Sequence, residues 1–260
     1  MLENCKIISN DILKGDYRKV VFHAPSIASK VQPGQFAHVR IAKLRDKILR
    51  RPFSICEIDD SGHLTLVYKI VGSGTAALAE LTHGEICSIL APQGVPFSTP
   101  DVAETPVIVA GGYGSAATLH LARISPTPGI LLLGARSTQD LILIDEFKKI
   151  GFEVRIATED GSMGTKGLVT TLLQDILRDS SSAAFAFKGC GPHGMLMAVG
   201  KMLLASGLDG ELSLDHLMCC GVGACFACVV KVKAKNLDGW RYARTCNEGP
   251  VFKASEIYYE

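Results

Sequence analysis

The rhythm of hydrophobic and polar positions changes once along the chain, near Thr105. Before that point, short stretches rich in β-branched and aromatic residues predict strands at 18–24 (RKVVFHA), 35–41 (QFAHVRI), 53–59 (FSICEID) and 63–71 (HLTLVYKIV). Each is bounded by turn formers such as Pro33-Gly34 and Asp60-Ser61-Gly62. Repeated short strands of this kind point to an antiparallel barrel. One helix interrupts them, entered at Thr75 and closed by Gly84.

After Thr105, continuous apolar runs alternate with helical segments. The runs at 106–110, 129–135, 152–158 and 183–191 predict buried strands, and 115–124, 140–150, 167–177 and 195–207 predict helices. That alternation indicates a parallel α/β sheet. From Leu212 onward the chain is cysteine-rich and carries its only tryptophan, Trp240. The fold class expected is therefore multi-domain, β and α/β. An antiparallel β-barrel spans 1–100, a parallel α/β domain 101–211, and a small C-terminal module 212–260.

Composition narrows the function classes. With 47% apolar and 20% charged residues the chain is an ordinary globular mixture. A net charge of +1 removes the bulk-charge argument for a nucleic-acid or anionic-membrane partner. No apolar run approaches the roughly 18 residues of a membrane span, and Met1–Asn10 lacks the pattern of a signal peptide. The cytoplasm is the expected location.

Nine cysteines are many for such a compartment. Cys5, Cys56, Cys87 and Cys190 are scattered, whereas Cys219, Cys220, Cys225, Cys228 and Cys246 crowd near the C-terminus. Cys220, Cys225, Cys228 and Cys246 form C-x4-C-x2-C with a distant fourth cysteine, the plant-type [2Fe-2S] spacing. Gly221, Gly223, Ala224 and Ala227 suit a loop that must wrap closely and aim N–H groups at sulfur. A structural zinc site is the alternative, although such sites more often use two C-x2-C knuckles and only Cys225 and Cys228 form one here. Cys219 could replace Cys220 only by a shift of register.

Two short segments of the barrel suggest a flavin. Arg51-Pro52-Phe53-Ser54 opens a strand, where an arginine beside a hydroxyl can hold a pyrophosphate and the strand can flank an isoalloxazine ring. Gly72-Ser73-Gly74-Thr75 precedes a helix, whose free N–H groups favour phosphate. Each alone reads equally as an ordinary strand or turn. In the α/β part, Gly111-Gly112 ends a strand, and Gly112-x-Gly114-x-x-Ala117 fits the dinucleotide fingerprint. The acidic residue expected about 20 positions later is displaced by Gly134-Ala135-Arg136, so a ligand-free tight turn would read the same. Glu159 and Asp160, and the Gly189–Pro192 loop, follow later strands at their C-terminal ends, where such sheets bind ligands. Acidic residues there would accept ribose hydroxyls and repel a 2′-phosphate, favouring NADH. Cys190 is either a nicotinamide contact or a small packing residue.

Taken in order, Arg51–Ser54, Gly72–Thr75, Gly111–Gly114, Gly189–Pro192 and the cysteine set resemble the electron-transfer subunit of type B dihydroorotate dehydrogenase, within the ferredoxin reductase superfamily. The most specific parts are MCCGVGACFACVVKV (218–232) and CNEGPVF (246–252), supported by PGQF (33–36), RRPFSI (50–55), GARS (134–137) and EDGSMGTKG (159–167). The turn GGYGSAATL lacks a proline common in that family, and APQGVPF (91–97) departs from its glycine-rich form.

The resemblance implies FAD on the barrel, touching Arg51, Pro52, Phe53, Ser54, the strand at Tyr68, Lys69 and Ile70, and Gly74 with Thr75. It implies NAD(H) on the α/β domain and a [2Fe-2S] cluster on Cys220, Cys225, Cys228 and Cys246. The implied partner is an FMN-containing dihydroorotate dehydrogenase catalytic subunit of pyrimidine synthesis, in a heterotetramer of two chains of each kind. Related flavin and iron–sulfur subunits serve ferredoxin–NAD(P) reductases and sulfhydrogenases, which is the alternative reading. A zinc-stapled binding module is a third. Hydride exchange between nicotinamide and flavin needs alignment rather than a general base, so His38, His63, His120 and His216 are expected to be surface or packing residues.

Overall fold

The computed structural model describes every residue except 42, 45, 46, 179–183, 215, 216, 236, 237 and 260. His216 and the first residue of the strand expected at 183–191 therefore lie outside the described residues. In the first third, alternate side chains point inward and close the chain on itself. The strands β1 (Leu2–Lys14), β2 (Tyr17–His23), β3 (Phe36–Arg40), β4 (Arg51–Ile58), β5 (His63–Lys69) and β6 (Ile86–Gln93) form a closed antiparallel barrel in the order β1-β2-β5-β4-β3-β6. Ile7, Val20, Phe22, Val39, Leu64, Leu66 and Ile89 are fully buried within it. Each such side chain contributes about 1.5–3 kcal/mol by leaving water. Two short helices, α1 (Pro25–Ala28) and α2 (Ser73–Ala79), accompany the barrel. The four expected strands are present, and the closing pair, β1 against β6 with Cys5 opposite Cys87, is additional to them.

The α/β part contributes β7 (Thr105–Gly111), α3 (Gly114–Ile124), β8 (Ile130–Ala135), α4 (Ile144–Lys149), β9 (Glu153–Thr158), β10 (Thr165–Lys166), α5 (Val169–Leu177), β11 (Phe185–Cys190), α6 (His193–Ala205) and β12 (Gly210–Ser213). The C-terminal segment adds a hairpin, β13 (Val229–Lys233) with β14 (Trp240–Arg244), and the strand β15 (Val251–Lys253). The sheet order is β10-β9-β8-β7-β11-β12-β15, parallel except for β15 against β12. The helix expected at 140–150 begins only at Ile144, because Leu143 takes a left-handed φ of 61° and Leu141 and Ile142 are buried as non-helical chain.

Growth of the sheet reverses between β7 and β11, which makes that crevice its topological switch point. The barrel docks against the same end. Tyr17, Cys56, Val67 and Phe97 share one hydrophobic cluster with Ile108, Ala116 and Leu119. Polar ties reinforce the contact: Arg123 pairs with Glu57, and Asp140 accepts from the Tyr17 hydroxyl at 3.0 Å and Lys69 Nζ at 2.7 Å. Among the described residues no helix is long and apolar enough to cross a membrane.

Candidate functional site

Barrel, sheet and cysteine segment meet at a cavity of about 320 Å³. From the barrel, Phe36, Pro52, Phe53, Ser54, Tyr68 and Lys69 line it, with Thr75 at the start of α2. Opposite them stand Tyr113 and Ala116 from the turn and first part of α3, and Met218 from the cysteine segment. Pro52, Phe53 and Ser54 lie at the start of β4, beside Tyr68 on β5. Phe53 meets Tyr68 edge to face, with ring centroids 5.8 Å apart. The Tyr68 hydroxyl donates to Asn10 Oδ1 at 3.0 Å, and Asn10 in turn donates to the carbonyls of Leu78 and Leu81. Burial pushes the Tyr68 phenol up to about 12, so it stays a neutral donor at physiological pH.

Arg51 lies across the first turn of α2. A Cβ at Gly74 would meet Arg51 Nε at 2.8 Å, so a side chain there would push the arginine aside; Arg51 Nη1 donates to the Leu49 carbonyl at 2.7 Å. The Thr75 hydroxyl organises the turn, accepting from the N–H of Val71 at 2.9 Å and of Gly72 at 3.2 Å. A guanidinium resting on a glycine turn is a fit for a pyrophosphate. Two expected flavin contacts are engaged elsewhere. Lys69 turns its ammonium to Asp140, and Ile70 packs against the barrel core with its N–H donating to the Asp16 carbonyl.

The four spaced cysteines gather in two pairs. Cys220 lies beside Cys225, and Cys246 beside Cys228, with Cys220 also within electrostatic reach of Cys246. All nine cysteines are free of disulfides. Among the described residues no three His, Cys, Asp or Glu side chains converge on one metal ion; two pairs of thiols suit a binuclear centre with two ligands for each iron. Burial acts to raise Cys220, but the N–H groups of Val222, Ala224 and Cys225 and the Cys225 thiol outweigh it and bring the group below the usual thiol range. Burial and the neighbouring Cys228 hold Cys246 above it. A loop that already aims N–H groups at sulfur fits an anionic iron–sulfur centre, and the Gly223 N–H also reaches Cys246 Sγ at 3.2 Å. The loop is braced from outside: Arg244 donates to the Gly223 carbonyl, stacks on Phe226 and pairs with Glu248.

At the switch point the two glycine loops interlock. A Cβ at Gly114 would fall 2.0 Å from the Cys190 carbonyl oxygen, and one at Gly111 would fall 2.5 Å from Pro192 Cδ. Gly112 has a left-handed φ of 52°. The close approach needs Gly111 and Gly114, while Gly112 is required by its φ alone. Cys190 itself is fully buried at the end of β11. Glu159 and Asp160 are exposed at the end of β9, apart from this crevice, with their N–H groups bonded to the carbonyls of Ala135 and Arg136. The Asp160 carboxylate is held low by hydrogen bonds from Ser162.

Phe36, Tyr113 and Met218 were not among the residues expected at the cavity. Phe36 lies in the PGQF turn-to-strand segment, and its outward register on β3 is the signal that could have found it.

Known proteins share this chain's segments and fold. The family model described as the iron-sulfur cluster binding domain of dihydroorotate dehydrogenase B matches residues 215–258, and that of the oxidoreductase FAD-binding domain matches residues 4–96. The "Dihydroorotate dehydrogenase B (NAD(+)), electron transfer subunit" of Fusobacterium nucleatum is 36% identical over 100% of this chain and 99% of its own length. The protein of the same description from Desulforamulus reducens is 36% identical over 92% and 91%. Among solved structures, that of an NADH-dependent reduced ferredoxin-NADP oxidoreductase superposes with a TM-score of 0.83 at 26% identity, covering 98% of this chain and 90% of the other. The chain belongs to the family of dihydroorotate dehydrogenase B electron transfer subunits.

Proposed function

We propose that this chain carries electrons between NAD(H) and an FMN-containing catalytic subunit that interconverts dihydroorotate and orotate in pyrimidine synthesis. The carrying observation is the shared cavity. The barrel wall, the nucleotide turn at Tyr113 and the cysteine segment at Met218 all face one space, and Phe36 lines that space while packing on Cys228 and Cys246. Bound FAD would supply exchange between a hydride and single electrons, and a [2Fe-2S] centre a one-electron carrier.

In this reading Arg51, Gly74 and Thr75 hold the FAD pyrophosphate, and Pro52, Phe53, Ser54 and Tyr68 flank its ring. Lys69 steadies the site through Asp140, and Ile70 supports the strand from beneath. Gly111, Gly112 and Gly114 form the nicotinamide-nucleotide turn, with Cys190 beneath it and Glu159 and Asp160 at the ribose edge, which favours NADH. Cys220, Cys225, Cys228 and Cys246 hold the cluster. The functional divisions are 1–100, 101–211 and 212–260, although β15 ties the last to the sheet edge.

The partner docks where Cys225 is exposed. Leu217, Val222 and Phe226 are 77%, 52% and 59% exposed, an apolar group of the sort that marks a protein interface. Two copies of each chain form the assembly, in the cytoplasm. Co-expression with the catalytic subunit tests the reading. The pair should co-purify and reduce NAD with dihydroorotate, and removal of this chain should abolish the NAD reaction while leaving dihydroorotate oxidation by artificial acceptors. NAD reduction by the catalytic subunit alone would refute it. The likeness to the NADH-dependent reduced ferredoxin-NADP oxidoreductase favours a second reading with another flavoprotein as partner, which the same co-purification distinguishes.

A further inference from the structure

His38 is fully buried, yet neither its Nδ1 nor its Nε2 has a hydrogen-bond partner among the described residues. A buried polar group left unsatisfied is costly, so the ring calls for a partner beyond those that the described residues supply. Strand geometry shows where that partner lies. Side chains alternate along β3, and Ala37 and Val39 point into the barrel core. Phe36 and His38 therefore face the other way, toward the cysteine segment.

Two contacts fix the position. A Cβ at Gly221 would lie 2.5–2.7 Å from Cε1, Nε2 and Nδ1 of His38, so the residue next to Cys220 rests directly on the imidazole. The His38 ring also meets Phe36 at 5.6 Å between centroids, and Phe36 packs on Cys228 and Cys246. Burial, aided by the Arg50 guanidinium, pulls the His38 pKa down to about 4. An imidazole offers at least one ring N–H in either protonation state.

We propose that His38 is a positioning residue for the redox centre: its ring N–H donates a hydrogen bond to sulfur of the cluster held by Cys220, Cys225, Cys228 and Cys246, and this bond raises the cluster's reduction potential. The inference rests on the cluster reading given above. Reduction places additional negative charge on the sulfurs, so an N–H aimed at them is worth more in the reduced state. Removing it should shift the one-electron equilibrium toward the oxidised state by about tenfold, which is 59 mV for a one-electron couple.

The test uses the full chain reduced anaerobically, with histidine alone labelled with 15N. Iron and sulfide content and the reduced-cluster EPR signal are read first, and their absence would sink the cluster reading rather than this one. With the signal present, hyperfine spectroscopy should detect a weakly coupled histidine nitrogen. That coupling should persist in His216→Gln, the other histidine close in sequence to Cys220, and vanish in His38→Leu. EPR-monitored titration should give His38→Leu a lower potential by the stated amount, with His38→Gln, which retains a donor, closer to the parent. No histidine coupling in the parent protein, its loss in His216→Gln instead, or a His38→Leu equilibrium within twofold of the parent would overturn the inference. Should His38→Leu fail to assemble its cluster, the labelled parent protein and His38→Gln still decide.

Discussion

The interlock at the switch point can be tested with a single methyl group. In Gly114→Ala the new Cβ would sit 2.0 Å from the Cys190 carbonyl oxygen and 2.6 Å from its carbon, far inside ordinary contact, and both are backbone atoms that cannot rotate away. The loops after β7 and β11 must separate. Overpacking of this kind costs about 1–3 kcal/mol. Against it runs the gain from replacing glycine in a helix, about 0.4–1 kcal/mol. Gly194 separates the two effects. It occupies the first turn of α6 with nothing within 4 Å of its Cβ position, so Gly194→Ala should be stabilised by the second term alone. Since that term is common to both variants, their difference isolates the packing cost. At about 2–4 °C per kcal/mol, Gly114→Ala should melt about 2–12 °C below Gly194→Ala. Stopped-flow reduction of FAD should show weakened NADH binding in Gly114→Ala only. Equal melting temperatures and equal NADH affinity in the two variants would refute the close approach of the loops.

Three further outcomes follow from the site. Cys225→Ser should lose cluster absorbance and electron delivery to the catalytic subunit while NADH still reduces FAD; normal partner reduction in rapid mixing would contradict the route. Arg51→Ala should weaken FAD binding about 10–100-fold, the loss of a charge-assisted hydrogen bond of about 1.5–3 kcal/mol, as measured by flavin fluorescence on dilution. Asp140 is held below its ordinary carboxylate value by the Lys69 and Tyr17 hydrogen bonds despite partial burial. Its contribution is therefore present above the unfolded value of 3.8 and disappears as pH falls through the lower folded value. Asp140→Asn should cost about 1 kcal/mol at pH 7, and urea unfolding should show the gap closing in acid; a gap independent of pH would count against the ion pair.

Legibility in the sequence followed burial on two sides. The strands β7 and β8 are buried along most of their length and read as apolar runs, so the α/β half was visible even though β9 carries Glu153 and Arg155. In the barrel, β1 was missed because only Cys5 and Ile7 of its first half are buried while Leu2, Asn4 and Lys6 face outward and a carboxylate, Glu3, shares the inward side. Its role appears only when it pairs with β6, a contact between residues more than 80 positions apart. The helix over 140–150 was drawn too long, since tertiary packing takes Leu141 and Ile142 out of any helical pattern.

At the site, the cysteines and the glycine turns were readable because their chemistry is encoded in spacing. His38 was set aside as a packing residue. Nothing local marks it, because what matters is that β3 turns it toward Gly221, far along the chain. Met218 and Tyr113 escaped for the same reason: each reaches the cavity from a different part of the fold.

In the proposed function, four thiols in two pairs hold a two-iron centre next to a flavin. The most direct measurement is iron, acid-labile sulfide and flavin content of the full chain isolated without oxygen, together with its EPR spectrum after NADH is added. Two irons, two sulfides and one FAD per chain, with a reduced [2Fe-2S] signal produced by NADH, is the predicted result. A zinc-loaded, colourless protein, or a flavin that NADH reduces with no iron–sulfur signal in an iron-replete sample, would contradict it.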